Sequence, residues 1–263
     1  MSLDLAQIVH APEGPETAPP LLIAHGLFGS ARNFNALGRR FARGRRVVMV
    51  DMRNHGASPW SDDCAYPAMA ADLAAAVRRH CGGRAVVLGH SMGGKAAMAL
   101  ALSEPDLLAG LIVADIAPVA YPHSHAPYIA AMKAVDLSRV ARRGDADAML
   151  ADAVPEPPLR AFLLQNLVIE QGGARWRVNL DALERAMPVL TGFPDDLPQA
   201  AHDGPALFLR GEASDYAGPE TEAAIRARFP AAEIETLPGA GHWLHAERPD
   251  AFAASVTAWL DRL

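Results

Sequence analysis

One short run of residues constrains the fold of this chain more than any other. Apolar, mostly β-branched residues lead into Gly-His-Ser-Met-Gly at positions 89–93, and an Ala-, Leu- and Met-rich helical pattern follows at once. A serine in this setting lies on a sharp strand-to-helix turn with a strained backbone, and the flanking glycines are needed where the chain crowds itself. The run therefore predicts a nucleophile elbow with Ser91 at its apex.

Short apolar runs alternate with longer amphipathic patterns along most of the chain. Several runs are rich in Val, Ile and Leu without alternating polar residues, as expected for parallel strands covered on both faces. This alternation predicts an α/β fold with a mostly parallel, doubly wound sheet. The predicted strands are Leu3–Val9, Pro20–Ala24, Arg46–Asp51, Ala85–Gly89, Gly110–Asp115, Pro205–Arg210 and Glu233–Leu237. The predicted helices between and after them are Tyr66–Val77, Met92–Leu102 and Ala251–Leu263.

One interval breaks this rhythm. About ninety residues separate Asp115 from Pro205, far more than one crossover helix needs. We interpret the interval as a helical cap inserted above the strand ends. The alternative, a second independent domain, is disfavoured because neither end of the interval has a long polar linker. The predicted cap helices are Ser124–Val135, Leu137–Ala153, Leu159–Glu170 and Leu180–Val189, with a polar and aromatic stretch at 174–179.

Composition bounds the class of protein. The 263 residues suit one large domain or a core carrying one insertion, and the net charge of −6 without a basic stripe argues against a nucleic-acid partner. The two cysteines, Cys64 and Cys81, are expected to be free thiols in a reducing compartment. The N-terminal residues lack the pattern of a signal peptide, and no apolar run reaches the roughly 20 residues that span a membrane. These features predict a soluble, cytoplasmic protein.

Ser91 needs a base, and His242 has the best context among the ten histidines. It lies in a Gly-rich loop directly after the last predicted strand, at the carboxyl edge of the sheet where ligands bind and where the elbow also lies. His90 is expected to be a pocket or packing residue beside Ser91. No metal site is predicted, because the His-Ser-His at 123–125 has no matching second pair of ligands. The histidines expected to be hydrogen-bonded loop residues are His55 and His245.

An acid must orient the histidine, and two candidates remain open at this stage. Asp115 ends the strand that follows the elbow helix, and Asp215 lies in the loop after the next core strand. Both positions fall at the carboxyl edge of the predicted sheet.

An acyl-transfer site also needs donors for an oxyanion. The backbone N–H of Met92 follows from the elbow. The second donor is expected from the loop after an early strand, where glycines at 26 and 29 let the backbone bend toward the site. We assign it to the N–H of Leu27, with that of Phe28 as the alternative.

Several segments together resemble one family. They are His-Gly-Leu-Phe-Gly-Ser at 25–30, Asp-Met-Arg-Asn-His-Gly-Ala-Ser-Pro at 51–59, Gly-His-Ser-Met-Gly-Gly-Lys at 89–95, Asp-Ile-Ala-Pro at 115–118, Trp-Arg-Val-Asn at 176–179 and Gly-His-Trp-Leu-His-Ala at 241–246. In these segments the chain is similar to serine α/β-hydrolases, and within them to the YbfF-type esterases, a group related to a mitochondrial α/β-hydrolase-domain protein of animals. The resemblance spans nearly the whole chain.

The resemblance implies an α/β-hydrolase core at residues 1–117 and 200–263, with residues 118–199 as a helical cap inserted after strand 6 of that fold. It implies hydrolysis of carboxylic esters, extending to acyl-thioesters, with a small-molecule ester or thioester as the substrate and without a cofactor. The usual acid position of the fold corresponds to Asp215, but some members use the aspartate that corresponds to Asp115, and we prefer Asp115 on that ground. The expected substrate-binding residues are His25, Phe28, His90 and Trp176.

Two further motifs receive structural interpretations. The loop with Asp51, Arg53 and Asn54 is expected to be fixed beside the site by hydrogen bonds. Lys95, one turn after Ser91, is expected to form a salt bridge, the alternative being contact with an acidic part of a substrate.

Rival functions remain at this stage. A triad of the same residue types also catalyses the reactions of cofactor-free haloperoxidases, C–C bond hydrolases and iminopeptidases. In a different class, the fold acts as a ligand receptor without turnover. The presence of both Ser91 and His242 argues against a receptor, which has no need of that pair.

Overall fold

A computed structural model describes residues 2–263 and contains a seven-stranded sheet with a separate two-stranded hairpin. The strands are β1 (Gln7–His10), β2 (Leu21–Ala24), β3 (Val47–Val50), β4 (Ala85–His90), β5 (Leu108–Ala114), β6 (Leu167–Glu170), β7 (Gly173–Trp176), β8 (Ala206–Gly211) and β9 (Ala232–Leu237). The strands of the large sheet lie in the order β1-β3-β2-β4-β5-β8-β9, and only β1 runs antiparallel to its neighbour. The predicted α/β class with a mostly parallel sheet is therefore confirmed.

Helices cover both faces of the sheet. The helices are α1 (Asn35–Phe41), α2 (Tyr66–His80), α3 (Met92–Ser103), α4 (Ala126–Ala134), α5 (Arg143–Leu150), α6 (Pro157–Leu163), α7 (Leu180–Thr191), α8 (Glu222–Arg228), α9 (Leu244–Glu247) and α10 (Pro249–Leu260). Alternate residues of β2 show this arrangement, because Leu22 packs in one apolar cluster with α2 and α3 while Leu21 packs in a second cluster with α1 and α10. A strand buried on both faces needs apolar residues at every position, which explains the unbroken Leu-Leu-Ile-Ala run of β2.

The long interval begins after β5, which is the fifth strand along this chain, and it contains α4 to α7. It is not purely helical. The predicted helix Leu159–Glu170 is wrong in its second half, because α6 ends at Leu163 and the strands β6 and β7 pair as an antiparallel hairpin. Gly173 has φ 115° at the start of β7, a value that favours glycine and permits the tight reversal.

Both cysteines, Cys64 and Cys81, are buried free thiols. Within residues 2–263, no helix combines the length and the apolar character needed to cross a bilayer.

Candidate active site

The serine of the predicted elbow occupies the turn between β4 and α3. Ser91 has φ 52° and ψ −119°, a conformation that non-glycine residues adopt only when their surroundings enforce it. A Cβ added at Gly89 would lie 2.2 Å from the carbonyl oxygen of Gly93, and one at Gly93 would lie 2.5 Å from that of Ala24. Neither position therefore accepts a side chain, which explains the two glycines of the motif.

Three of the predicted side chains form a continuous chain of hydrogen bonds. His242 Nε2 lies 3.1 Å from Ser91 Oγ, and His242 Nδ1 lies 2.7 Å from Asp115 Oδ2. Asp115 directly follows β5 and is fully buried. Its carboxylate also accepts from the Gly211 N–H at 2.8 Å and from the Ser214 hydroxyl. An ionised carboxylate only accepts, so Nδ1 carries the proton of a neutral His242 and Nε2 can accept from the serine hydroxyl.

The alternative acid lies apart from this chain of bonds. Asp215 is exposed, and its carboxylate makes no hydrogen bond or ion pair with any of residues 2–263. Its two neighbours face the site instead. The Ser214 hydroxyl donates to Asp115, and the Tyr216 ring stacks on the His242 ring with centroids 3.8 Å apart and planes 20° apart. Neither neighbour stands in a recognisable motif, and the only signal for Tyr216 in the sequence is an aromatic residue beside a candidate acid.

Two backbone donors are available beside Ser91. Leu27, Met92 and Ser91 line one small cavity, and the Leu27 N–H has no acceptor among residues 2–263. Met92 is the first residue of α3, where N–H groups lack an intrahelical partner. The Phe28 N–H, the alternative donor, is taken because it donates to His55 Nε2 at 3.1 Å. The Leu27 and Met92 N–H groups are therefore the pair open to a bound oxyanion.

Buried histidines hold the loop that carries Leu27. His25 Nε2 accepts from the Met52 N–H at 2.9 Å, and its Nδ1–H donates to the Gly26 carbonyl at 2.8 Å. Burial lowers the pKa of His25 to about 4 and the pKa of His55 to about 3, so both rings are neutral near pH 7. His25, predicted to bind substrate, thus presents its ring to the pocket while both of its nitrogens bind backbone groups.

The pocket beside Ser91 is mainly apolar and has a volume of about 150 Å³. Phe28 and His90, both expected to bind substrate, line this pocket, and the His90 Nε2–H donates to the His242 carbonyl at 2.8 Å. Burial lowers the pKa of His90, so this ring is also neutral. The predicted core and the predicted cap (residues 118–199) both supply apolar walls, which include Phe34, Tyr128, Leu159, Phe162 and Trp243.

Trp176, expected to bind substrate, does not line the pocket beside Ser91. It ends β7, where its side chain is 9% exposed and its Nε1–H donates to the Met132 carbonyl at 3.1 Å. It packs within the cap beneath a separate surface depression. Phe162 of α6 is the cap aromatic that reaches the pocket, with its ring centroid 5.7 Å from that of Trp243.

Lys95 forms no salt bridge with any of residues 2–263, so the expected salt bridge is absent, although Lys95 lines the small cavity that Ser91 also lines. Its buried ammonium donates to the carbonyls of Val119 at 2.9 Å, Thr191 at 2.9 Å and Gly192 at 2.6 Å. The ammonium also lies 4.6 Å from the centroid of the Tyr121 ring. Val119 lies near the start of the cap and Thr191 near the end of α7, so Lys95 ties both ends of the cap to the elbow helix.

The loop at 51–54 is held by hydrogen bonds, as expected. Asp51 accepts from the backbone N–H groups of residues 31 and 57, and the buried Arg53 binds the buried Asp72 at 2.7 Å. Asn54 Oδ1 accepts from Asn179 Nδ2 at 3.0 Å, which joins this loop to the cap. Among residues 2–263, no group of three or more His, Cys, Asp or Glu side chains is arranged to hold a metal ion.

Comparisons with known proteins agree with this architecture. A model of the alpha/beta hydrolase family matches residues 21–255. The chain is 43% identical to the sn-1-specific diacylglycerol lipase ABHD11 of Mus musculus, over 94% of this chain and 83% of the mouse protein. It is 38% identical to Esterase YbfF of Escherichia coli, over 92% of this chain and 93% of that protein. A solved marine microorganism esterase superposes with a TM-score of 0.92 at 36% identity and covers 98% of this chain and 100% of its own. The resemblance drawn from the motifs is thereby confirmed, and the chain belongs to the alpha/beta hydrolase family.

Proposed function

We propose that this chain is a serine hydrolase of carboxylic esters. The observation that carries the proposal is the unbroken hydrogen-bond chain from the buried Asp115 through His242 to Ser91, at the wall of an apolar pocket. The names of the relatives support it, since they include a lipase and two esterases. A ligand receptor on this fold has no need of such a chain of bonds.

In the proposed mechanism, His242 Nε2 removes the proton of the Ser91 hydroxyl as Oγ attacks the ester carbonyl carbon. The carbonyl oxygen becomes an oxyanion, and the N–H groups of Leu27 and Met92 stabilise it. The tetrahedral intermediate collapses, the C–O bond to the alcohol breaks, and His242 gives its proton to the leaving alkoxide. Water then attacks the acyl-enzyme by the same route and releases the acid. Asp115 holds the Nδ1–H tautomer and stabilises the imidazolium throughout.

The size of the pocket sets the expected acyl group. A dry cavity of about 150 Å³ holds a molecule the size of benzene, so the space beside Ser91 suits acyl chains of roughly four to six carbons. Phe162 and Leu159 form part of the pocket wall, so we expect these two side chains to limit the length of the acyl chain. Oxygen esters and thioesters fit the same mechanism, because the alkoxide of an ester and the thiolate of a thioester both leave from a tetrahedral oxyanion intermediate.

The test is turnover of p-nitrophenyl esters, from acetate to palmitate, by the parent protein and by Ser91→Ala. We expect activity that is highest for chains of intermediate length and that falls by roughly 10⁴-fold or more in Ser91→Ala. Ser138→Ala, which alters an exposed cap serine, is the matched control and should retain full activity. Near-parental turnover by Ser91→Ala would contradict the proposal, and a folded parent without turnover would favour a receptor.

A cytoplasmic location remains a prediction. The two buried free thiols, Cys64 and Cys81, support a reducing compartment.

A further inference from the structure

The loop after β8 touches two members of the proposed triad. The Gly211 N–H and the Ser214 hydroxyl donate to the Asp115 carboxylate, and the Tyr216 ring lies face to face with the His242 imidazole. With ring centroids 3.8 Å apart and planes 20° apart, this is the closest aromatic pair around His242. The same segment thus contacts the acid at one end and the base at the other.

Tyr216 is itself held from three sides. Its carbonyl accepts from the Tyr121 hydroxyl, whose oxygen accepts in turn from the Ala117 N–H at 2.9 Å. Its own hydroxyl lies 3.3 Å from His125 Nε2 at the start of α4, and its N–H donates to Ser214 Oγ at 3.3 Å. A ring fixed in this way can hold a neighbouring imidazole in one orientation.

We propose that Tyr216 is a positioning residue for His242, which fixes the imidazole by stacking and stabilises its protonated form in the transition state. The inference rests on the proposed function, because it assigns His242 the role of general base. The face of a phenol ring carries partial negative charge and attracts a cation above it, so the contact strengthens when His242 takes the serine proton. Tyr216 also lines the pocket beside Ser91, but no hydrogen bond among residues 2–263 joins it to Ser91 Oγ or to a ring nitrogen of His242.

The surroundings favour a neutral phenol as the source of this attraction. Burial raises the pKa of Tyr216 to about 12, and burial lowers the pKa of His125 to about 4, so a protonated hydroxyl faces a neutral acceptor. The titratable groups that face His242 from the packed elements are Asp115 after β5, His90 at the end of β4, His123 and His125 at the start of the cap, Tyr216 after β8 and His245 in α9. Asp115 is the only carboxylate bonded to the ring within residues 2–263, and it is present in every variant below.

The experiment is the pH profile of kcat/KM for p-nitrophenyl butyrate, whose acidic limb reports the pKa of the base in the free enzyme. Tyr216→Leu removes the aromatic face. We expect kcat to fall about 10-fold, with a smaller change in KM, and the acidic limb to move down by roughly 0.5 to 1 pH unit, the size of a cation–π contact. Tyr216→Phe keeps the face and should keep the parental limb.

Tyr128→Leu is the matched control, because Tyr128 lines the same pocket and stacks on His125 without contacting His242. It should change KM while leaving the acidic limb in place. If Tyr216→Leu does not fold, fluorinated phenylalanines at position 216 preserve the shape and progressively withdraw charge from the ring face. The limb should then fall stepwise with fluorine content.

A limb unchanged in Tyr216→Leu, or in the fluorinated series, overturns the inference and leaves Tyr216 as a packing residue. An equal shift in Tyr128→Leu also overturns it, because general disturbance of the pocket would then explain the effect. Failure of the proposed function is distinguishable, since it would appear as absent serine-dependent turnover in the parent enzyme.

Discussion

The identity of the acid gives the sharpest test of the site. Asp115→Asn replaces one carboxylate oxygen with an NH₂ group and changes the size of the side chain very little. Its remaining oxygen can still accept from the Gly211 N–H, so the NH₂ group would face His242 Nδ1 and the Ser214 hydroxyl. Two donors cannot satisfy each other, and His242 would have to move its proton from Nδ1 to Nε2. An Nε2–H cannot accept the proton of Ser91.

The expected loss follows from this wrong tautomer. In serine proteases the equivalent change lowers kcat by about 10⁴-fold, which corresponds to about 5 kcal/mol of transition-state stabilisation. Asp115 is fully buried, so solvent cannot take over the role of the carboxylate. Asp215→Asn, in contrast, alters an exposed side chain without contacts and should change kcat by no more than about twofold.

The assay is kcat on p-nitrophenyl butyrate for both variants, with urea denaturation to establish that each is folded. Asp115→Asn with near-parental kcat would refute the argument. So would a comparable loss in Asp215→Asn, since the loop after β8 would then have to supply the acid in solution.

Three further outcomes are expected. The free energy of unfolding in urea should be lower at about pH 5.5 than at about pH 7.5, by about 1 kcal/mol for each buried histidine. The reason is that histidines of the unfolded chain gain protons below their ordinary pKa of 6.5, while the buried rings of the folded protein stay neutral. A free energy of unfolding that does not depend on pH would contradict this. The histidines concerned include His25, His55 and His245, whose pKa values burial lowers to about 4, 3 and 3, and also His90 and His125, whose pKa values burial lowers as well. Lys95→Met should lower the free energy of unfolding by about 2–4 kcal/mol because three buried carbonyls lose their donor, whereas Lys133→Met at an exposed site should leave the urea midpoint nearly unchanged. Phe162→Ala should shift the ester with the highest kcat/KM toward longer acyl chains, whereas Trp176→Ala should lower the melting temperature without that shift. A shift in chain-length preference in Trp176→Ala but not in Phe162→Ala would indicate that Trp176 lines the acyl pocket.

The sheet was predictable because its strands leave little choice. A run such as Val47–Val50, buried at every position, is too short for a helix and too apolar for a loop. The hairpin β6–β7 was missed because Leu159, Leu163 and Leu167 recur every four residues and therefore fit a helix as well as their actual structure. Gly172-Gly173 was the only local signal of a reversal.

The residues of the site could be predicted where a local motif places them, but not where their role depends on a tertiary contact. Ser91 and His242 stand in motifs whose turns fix their place at the edge of the sheet. The choice between Asp115 and Asp215 depends on which side chain reaches a histidine more than 25 residues away, a tertiary contact that leaves no local pattern. Trp176 was assigned to the pocket because it lies in a segment that resembles the family. In the structure, β7 pairs with β6, and the Trp176 side chain donates to the Met132 carbonyl within the cap.

The contacts of Lys95 also bear on the conformational entropy that is lost when the inserted segment is closed into a loop. The carbonyl oxygens of Val119 and Gly192 accept hydrogen bonds from one ammonium, so the two ends of the segment lie within about two hydrogen-bond lengths of each other. The entropy of closing a loop between two such points grows only with the logarithm of its length, and doubling the segment costs about 0.6 kcal/mol. The length of the inserted segment therefore has only a small effect on the stability of the sheet. A different cap could be exchanged between these two points, provided that its ends present carbonyls to the same lysine.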